Sequence, residues 1–379
     1  MTAANNTSPL DRLTRAKRVV IKIGSALLVD QESGAIRRDW LAALADDIAA
    51  LHGQGKQIAV VSSGAIAAGR RHLGLTGRAL RLEEKQAAAA TGQIRLAHAY
   101  EEALARHKIT VAQVLLTLDD TEERRRHLNA RSTLNQLLTL GAVPLINEND
   151  TVATQEIRYG DNDRLAARVA AMISAEVLVL LSDIDGMYEA DPRKVTDAKH
   201  IPEIGEITPA IEAMAGAAPE GYSSGGMITK IQAAKIALGA GCHMVLTEGH
   251  SLNPVRRLLE GGRCTWFTAS ANPRTARKRW IAGSLKSAGE LVVDKGAENA
   301  LAKGSSLLPA GVVKITGRFD RGDLVTLRGA DGNEIGRGLV AYSDEDARRI
   351  AGHKTGEIEE ILSYRGRDEV IHRDDLALD

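Results

Sequence analysis

A glycine-rich stretch deep in the chain combines hydroxyl groups with a lysine. SSGGMITKIQAAK runs from Ser223 to Lys235 and changes from a loop composition into a helical one. Gly225 and Gly226 can present successive N–H groups to phosphate oxygens, the helix start adds partial positive charge, and Lys230 adds a full one. These residue types suit a phosphate-binding loop. A capped helix with glycines in its turn is the alternative for this loop taken alone, because the pattern GxxxxGK[ST] occurs nowhere in the chain.

Two earlier segments place similar residue types where a strand gives way to a turn. KIGS at residues 22–25 brings Lys22 to the end of an apolar strand, just before a Gly-Ser turn. SSGA at residues 62–65 combines Ser63 with a glycine, and residues this small let backbone N–H groups approach an anion. Each segment also has a structural explanation, namely an edge strand with its lysine in water and an ordinary strand-to-helix turn. Taken separately, neither segment establishes a binding site.

A third segment is dense in polar side chains directly after the apolar run AVPLI. It is INENDTVATQEIRYGDNDRLAARVA, residues 146–170. An ammonium group would find Asp150 or Asp161 there, and a carboxylate would find the amide of Asn162. Asp163 precedes a helical run and is therefore also a candidate N-cap. The density of amides and carboxylates predicts a segment that binds a polar ligand.

Two more motifs carry clustered acidic residues. LSDIDG, residues 181–186, ends an apolar strand with Ser182 and Asp183, while turn chemistry explains its last two residues. HRDDL, residues 372–376, imitates the catalytic loop of protein kinases, but no glycine-rich kinase loop or DFG accompanies it. We interpret HRDDL as a coincidental match in a charged tail.

The polar segments follow short apolar runs that alternate with helical patterns. The runs are RVVIKIG, IAVVSSG, VAQVLL, AVPLIN, VLVLLSD and HMVLTEG, and the clearest helix covers residues 83–107. This alternation is typical of βαβ units and a parallel sheet buried on both faces. The predicted fold class is α/β, an open, mainly parallel sheet sandwiched by helices. Ligands of such sheets bind outside the carboxyl ends of the strands, where the polar segments fall.

The texture of the chain changes after about residue 285. ELVVD, VVKITG, DLVTL and EIGRGLVAY are short strand candidates between turn residues, and they predict a small β-rich domain. Charge divides in the same way, with a net +4 on residues 1–285 and a net −4 on residues 286–379. The expected organisation is a disordered tail at 1–15, an α/β domain at 16–270, a linker at 271–285, a β-rich domain at 286–366 and a tail at 367–379.

Composition excludes several classes of protein. The 379 residues carry 49 basic and 49 acidic side chains, so no net field favours nucleic acid or an anionic membrane. Cys242 and Cys264 lack CxxC or metal-ligand spacing, which argues against a disulfide framework or structural zinc. Neither a signal peptide nor a membrane-spanning apolar run of about twenty residues is evident. We expect a soluble, cytoplasmic protein with a small-molecule partner.

Read in order, the motifs resemble those of the glutamate 5-kinases, a family of amino acid kinases. The match extends from about Lys17 to the C-terminus. It rests on KIGS, VSSGAIAAGRRHLG, KQAAAATGQ, LNARSTLNQLL, VPLINENDTVAT, GDNDRLAARVA, LLSDIDGMYEADPR, GGMITKIQAAKIALGAG, RKRWIAG and GSSLLPAGVVKITGRFDRGD. The resemblance implies ATP-dependent phosphorylation of the γ-carboxylate of L-glutamate, the first step of proline biosynthesis. It also implies an amino acid kinase domain followed by a PUA-like domain.

The resemblance further implies roles for individual residues. Lys22 and Lys230 would bracket the transferred phosphoryl group, and Asp163 would hold both lysines in place. The glutamate-binding positions of the family match Ser63, Asp150 and Asn162. Its ATP-binding positions match Lys22, Ser182, Asp183, Ser224, Gly225, Gly226, Met227, Ile228, Thr229 and Lys230. Mg²⁺ is expected on the ATP phosphates, and no residue is assigned as its ligand.

Three departures from the family pattern stand out. The family loop commonly reads GTGGM where this chain has SSGGM, its strand end often has threonine at Ser182, and Ala26 replaces a frequent hydroxyl residue. Serine at 182 and 224 keeps a hydroxyl group. Ser223 replaces a glycine, and only glycine enters positive φ cheaply. We therefore expect Ser223 to reshape the loop without abolishing ATP binding.

The sequence leaves two other functions open. An acetylglutamate or aspartate kinase would share the fold, although the GDND segment and the β-rich domain weigh against it. RNA binding through the PUA-like domain would need clustered cations, and Arg318, Arg321, Arg348 and Arg349 are the candidates in a domain of net −4. We expect neither a nucleic-acid nor a membrane partner. Members of the resembled family are typically oligomers inhibited by proline, so the resemblance implies a homo-oligomer with that inhibitor.

Overall fold

The chain divides into two units, Met1–Pro273 and Arg274–Asp379. The computed structural model describes residues 9–30, 32–75, 77–152, 162–215, 226–283 and 287–378. The division between the units falls inside the segment 271–285 that the sequence predicts as a linker.

A mainly parallel sheet forms the centre of the first unit. The described strands are β1 (Arg18–Ile23), β2 (Gln57–Ser62), β3 (Val111–Leu116), β4 (Val143–Glu148), β5 (Val177–Ser182), β6 (Met187–Tyr188), β7 (His200–Ile201), β8 (Glu203–Ile204), β9 (His243–Glu248) and β10 (Cys264–Phe267). Eight of these pair in the order β3-β4-β2-β1-β5-β9-β10-β8, with β9 and β10 antiparallel and the other neighbours parallel. β6 and β7 pair separately. The predicted fold class is confirmed, and the six apolar runs each contain a strand.

Helices cover both faces of this sheet. Those described in the first unit are α1 (Pro9–Arg15), α2 (Ser25–Leu28), α3 (Arg38–Gly53), α4 (Ala65–His72), α5 (Leu82–Ala105), α6 (Leu118–Glu122), α7 (Arg124–Thr139), α8 (Asn162–Met172), α9 (Pro209–Met214), α10 (Met227–Gly239) and α11 (Pro254–Leu259). Residues of α3, α4, α5 and α11 join one apolar cluster, and residues of α7, α8 and α10 join another. No described helix is both long and apolar enough to cross a membrane.

Strand β1 shows how the two faces are built from one sequence. Ile21 and Ile23 belong to the first cluster and Val20 to the second, because successive side chains of a strand point to opposite faces. A central parallel strand covered on both sides reads as a nearly continuous apolar run. Lys22 interrupts the run on the face shared with Val20, which α8 and α10 cover. The Lys22 side chain therefore faces the starts of two helices.

Helices α4 and α5 cross in backbone contact. A Cβ added at Gly69 would lie 1.9 Å from the carbonyl oxygen of Ala88, and one added at Gly92 would lie 1.8 Å from that of Ala65. No side chain fits at such distances, so glycine is required at both positions. The alanine-rich sequence of α5 thus serves close packing, and α5 fixes the first residue of α4.

The expectation of a disordered tail at residues 1–15 is wrong for the part that the structure describes. Residues 9–15 form α1, in which Leu13 is buried and the Arg12 guanidinium contacts both Glu203, at 2.8 Å, and the face of Trp266. The Lys56 ammonium donates to two carbonyl oxygens at the end of this helix. The polar composition of the segment suggested disorder, because the few contacts that hold α1 in place involve residues distant in sequence.

The second unit is a smaller, mostly antiparallel sheet. Its described strands are β11 (Gly289–Val293), β12 (Val312–Gly317), β13 (Leu324–Arg328), β14 (Glu334–Leu339) and β15 (Leu376–Leu378), in the order β12-β11-β13-β14-β15. β11 and β13 are parallel, and the other neighbours are antiparallel. The described helices are α12 (Pro273–Gly283), α13 (Lys295–Ala302), α14 (Asp344–Ile350) and α15 (Ile358–Leu362). The four predicted strands are all present.

The expected linker from Arg274 onward and the expected C-terminal tail belong to this unit. Residues 273–283 are helical, and β15 pairs with β14. The Arg277 guanidinium donates to Asp375 Oδ1 at 2.6 Å and to the carbonyl oxygen of Asp374 at 3.1 Å. Asp375 is 4% exposed. The HRDDL motif is therefore part of a buried ion pair and not a solvated tail, which its charge alone did not reveal.

Candidate active site

Two buried lysines meet one buried aspartate at the carboxyl edge of the central sheet. Lys22 lies near the end of β1, Asp163 is the second residue of α8, and Lys230 is the fourth of α10. The Lys22 Nζ lies 2.5 Å from Asp163 Oδ1, and the Lys230 Nζ lies 3.3 Å from Asp163 Oδ2. Asp163 is 1% exposed. Three residues that are far apart in sequence thus share one charged centre.

Electrostatics keep this carboxylate ionised. Burial by itself would raise the pKa of Asp163, but the ammonium groups of Lys22 and Lys230 outweigh burial and leave that pKa below its usual value. The Thr229 hydroxyl adds a hydrogen bond of 3.0 Å to Asp163 Oδ2. Two cations and one anion give this group of three a net positive charge. Such a centre attracts an anion and holds its cations in fixed positions.

A chain of amide side chains lies beside the charged centre. Asn162, the residue before Asp163, donates from Nδ2 to Ser63 Oγ at 2.8 Å and to Asn147 Oδ1 at 3.1 Å. It also contacts the carbonyl oxygen of Ser62 at 3.3 Å. Asn147 in turn donates to Gln93 Oε1 at 2.6 Å. The expectation that the Asn162 amide would donate to a carboxylate therefore conflicts with the geometry, because its N–H groups already have acceptors.

Glycine shapes the turn that carries Ser63. Gly64 has φ of +104°, and a Cβ there would also approach Val29 Cγ2 at 3.1 Å. The residue stands at the start of α4, and no side chain caps that helix. The turn therefore leaves the first N–H groups of α4 available next to the Ser63 hydroxyl.

Asp150 is a buried carboxylate that lacks a partner among the described residues. It is 8% exposed, and burial raises its pKa to about 6. An isolated buried carboxylate is unfavourable unless a ligand supplies the missing cation. The residue follows β4 by two positions, at the same edge of the sheet as Asn147. It is a candidate binding group for an ammonium ion.

The predicted nucleotide-binding residues are described in part. Ser182 ends β5, and its hydroxyl donates to Asp183 Oδ1 at 3.0 Å. Burial would raise the pKa of Asp183, yet the Ser182 hydroxyl and nearby cations lower it. Gly226 stands before α10, which begins Met227-Ile228-Thr229-Lys230. Ser224, Gly225 and the divergent Ser223 lie outside the described residues.

Two residues of the amide chain, Asn147 and Gln93, were not among the predicted site residues. Asn147 is nearly fully buried and was visible in sequence only as one of several polar residues after AVPLI. Gln93 lies within the helical stretch QAAAATGQ, which offers no chemical signal beyond a neighbouring glycine. Thr229, predicted to contact ATP, donates a hydrogen bond to Asp163 Oδ2.

Comparison with known proteins places the chain in a family. The model of the amino acid kinase family matches residues 17–248, and that of the PUA domain matches residues 289–362. A glutamate 5-kinase of Paramagnetospirillum magneticum is 64% identical over 97% of this chain and 99% of that protein. One of Allorhizobium ampelinum is 60% identical over 98% of this chain and 95% of that protein, and one of Gluconobacter oxydans is 58% identical over 97% of each. This chain therefore belongs to the amino acid kinase family and, within it, to the glutamate 5-kinases with a PUA domain.

Proposed function

We propose that this protein transfers the γ-phosphoryl group of ATP to the γ-carboxylate of L-glutamate. The products are L-glutamyl 5-phosphate and ADP, and the reaction is the first step of proline biosynthesis. The observation that carries the proposal is the pair of buried lysines on Asp163 at the carboxyl edge of the sheet. The similar proteins named above carry this activity in their name.

The mechanism needs charge neutralisation and placement but no general base. A γ-carboxylate is ionised at neutral pH, so its oxygen can attack the γ-phosphorus directly. The new P–O bond forms as the bond from phosphorus to the β,γ-bridging oxygen breaks, and ADP leaves. Negative charge on the transferring group is stabilised by Lys22 and Lys230. Asp163 restrains both ammonium groups, so little reorganisation is required during transfer.

The glutamate side of the site has complementary groups for both ends of an amino acid. Asp150 would pair with the α-ammonium group, which supplies the cation that this carboxylate lacks. Asn162 Oδ1, which has no partner among the described residues, would accept a second hydrogen bond from the same group. The Ser63 hydroxyl and the uncapped N–H groups at the start of α4 would bind a carboxylate.

Mg²⁺ fits this proposal as a partner of the nucleotide. The ion usually keeps several waters and binds through phosphate oxygens with one or two carboxylates. Among the described residues no group of three or more His, Cys, Asp or Glu side chains could hold a metal ion. Bound to ATP, Mg²⁺ would supply further neutralisation of phosphate charge. No side chain of this chain is assigned to it.

An acceptor panel tests the proposed reaction. Purified protein would be incubated with MgATP and L-glutamate, N-acetylglutamate or L-aspartate, with hydroxylamine to trap any acyl phosphate as a hydroxamate. We expect hydroxamate and ADP in equal amounts with L-glutamate and at least a hundredfold less with the other acceptors. If the protein preferred N-acetylglutamate or L-aspartate as acceptor, the proposal would be wrong and the protein would be an acetylglutamate kinase or an aspartate kinase.

The other parts of the proposal concern assembly, regulation and location. We propose a cytoplasmic homo-oligomer inhibited by proline, which sedimentation and inhibition assays would test. We do not propose RNA binding by the second unit, because two of its four candidate arginines have acidic neighbours: Arg348 contacts Asp344, and the Arg349 guanidinium lies 3.9 Å from Asp346. A salt-dependent gel shift with the full chain would overturn that judgement.

A further inference from the structure

Helix α5 touches the glutamate side of the site at three points. Gly92 fits against the carbonyl oxygen of Ala65, the first residue of α4. Gln93 accepts a hydrogen bond from Asn147 on β4, and the Tyr100 hydroxyl lies 3.1 Å from the hydroxyl of Ser62. All three α5 residues are buried. The helix therefore contacts each of the two segments, 62–65 and 147–150, from which two of the proposed glutamate ligands, Ser63 and Asp150, come.

Gln93 has the most specific of these contacts. Its side chain is 8% exposed, and its Oε1 lies 2.6 Å from Asn147 Nδ2. In this arrangement the nitrogen of the Asn147 amide faces α5. The oxygen of the same amide then faces Asn162, from which it accepts a hydrogen bond. The carbonyl oxygen of Ser62 can only accept, so it fixes the direction of this chain, and Gln93 supplies the acceptor at the other end.

The consequence reaches the proposed substrate ligands. If the Asn147 amide were reversed, its nitrogen would face Asn162 Nδ2, and two donors would oppose each other. With the observed orientation, the N–H groups of Asn162 are directed to Ser63 and Asn147. The Asn162 oxygen remains an acceptor without a partner among the described residues. One glutamine outside the substrate site thereby completes the hydrogen-bonded chain that holds Asn162 and Ser63 in place.

We propose that Gln93 is a positioning residue that determines affinity for the amino-acid substrate through Asn147 and Asn162. This inference rests on the proposed function, since glutamate is the substrate concerned. Gln93 contacts the chain of amide side chains through Asn147. It has no described hydrogen bond to the charged centre of Lys22, Asp163 and Lys230. Its loss should therefore weaken glutamate binding without changing ATP binding.

Steady-state kinetics of Gln93 variants test the inference. Gln93→Leu removes the acceptor at similar volume, and an unpartnered buried amide costs enough to expect about a tenfold rise in glutamate KM. The KM for ATP should stay within about twofold. Gln93→Glu retains an acceptor oxygen and should recover most of the affinity for glutamate. Gln136→Leu, the same change at an exposed position of α7, should leave both KM values unchanged.

Each other outcome contradicts the inference. Thermal melting identifies misfolded variants, and Gln93→Asn, which keeps the amide but withdraws it from Asn147, replaces Gln93→Leu should that variant not fold. A lowered melting temperature with unchanged glutamate KM would make Gln93 purely structural. Equal rises in the KM for glutamate and ATP would also overturn the proposal. A wild-type protein without glutamate-dependent turnover would overturn the proposed function and this inference together, whereas active wild type with unaffected variants overturns only the inference.

Discussion

Each unit of the protein contains a buried carboxylate with cationic partners, and the two sites differ in composition. In the first unit Lys22 and Lys230 share Asp163. In the second unit the Arg277 guanidinium binds both the Asp375 carboxylate and a backbone carbonyl. Lysine is a compact point charge, whereas the guanidinium of arginine offers several donors in a fixed fork. The arginine site is suited to joining two segments of chain, and the lysine site is suited to binding an additional anion.

Asp163→Asn should have the largest effect of any single change in this comparison. The variant retains two buried ammonium groups without their counterion, so we expect the first unit to lose about 3–5 kcal/mol of stability. Turnover should also fall at least about a thousandfold, because the lysines are no longer restrained. Denaturation and initial rates measure the two effects. Asp39→Asn, an exposed control, should change neither, and an active, stable Asp163→Asn protein would contradict the account.

Arg277→Met should affect stability without affecting the chemistry. Leaving Asp375 buried without this cation is expected to cost about 3 kcal/mol locally. Hydrogen exchange of residues 371–378 should accelerate, while turnover per folded molecule stays within about threefold of wild type. Arg274→Met breaks the exposed pair with Asp374 instead, and it should change stability by no more than about 1 kcal/mol. Equal rates of hydrogen exchange at residues 371–378 in the two variants would contradict the structural role assigned to Arg277.

Asp150→Asn should separate glutamate binding from ATP binding. The variant loses the charge that pairs with the α-ammonium group, and we expect glutamate KM to rise about 30- to 100-fold with ATP KM within twofold. Asp183→Asn should show the reverse pattern, since that residue lies on the proposed nucleotide side. Kinetics at varied glutamate and varied ATP distinguish the two. If Asp150→Asn raised the KM for ATP instead, the assignment of Asp150 to glutamate and of Asp183 to the nucleotide would be contradicted.

The pH dependence of glutamate affinity should report the same carboxylate. Burial raises the pKa of Asp150 to about 6 in the free protein, so protonation below that pH removes the partner of the ammonium group. The value of kcat/KM for glutamate should then fall up to tenfold per pH unit below about 6. Because the folded pKa is raised, protonation stabilises the free protein, and the loss is not unfolding. The Asp150→Asn variant should not show this fall in kcat/KM at low pH. If the variant still shows the fall, a group other than Asp150 is responsible for it.

Much of the fold could be predicted from the sequence because local patterns decide it. Six apolar runs became strands of the parallel sheet, and the alanine-rich helix was placed within two residues of its ends. The antiparallel strand β10 was missed because CTWF is short and carries no turn signal of its own. α1 and β15 were missed because their charged residues resemble those of solvated tails. Their structure depends on partners distant in sequence, such as Glu203 and Arg277.

Some residues of the site could be predicted and others could not, for a related reason. Lys22, Asp163 and Lys230 were each ambiguous alone, and the resemblance to a family supplied their grouping. The structure explains the grouping, since the face of β1 that carries Lys22 is covered by α8 and α10. Gln93 could not be predicted, because a glutamine in an alanine-rich helix is typical of a surface position. The hydrogen bond joins α5 to Asn147 of β4, 54 residues away in sequence, so it depends on the folded arrangement of the two elements.

Removal of each lysine is the most direct test of the central claim, which is that the lysine site serves phosphoryl transfer and the arginine site serves structure. Single-turnover transfer from γ-labelled ATP to glutamate would be measured for Lys22→Met, Lys230→Met and Arg277→Met, with melting curves for each. The account predicts that either lysine variant remains folded and transfers at least about a thousandfold more slowly, while Arg277→Met transfers at nearly the wild-type rate. A folded Lys22→Met or Lys230→Met protein with wild-type transfer would contradict it.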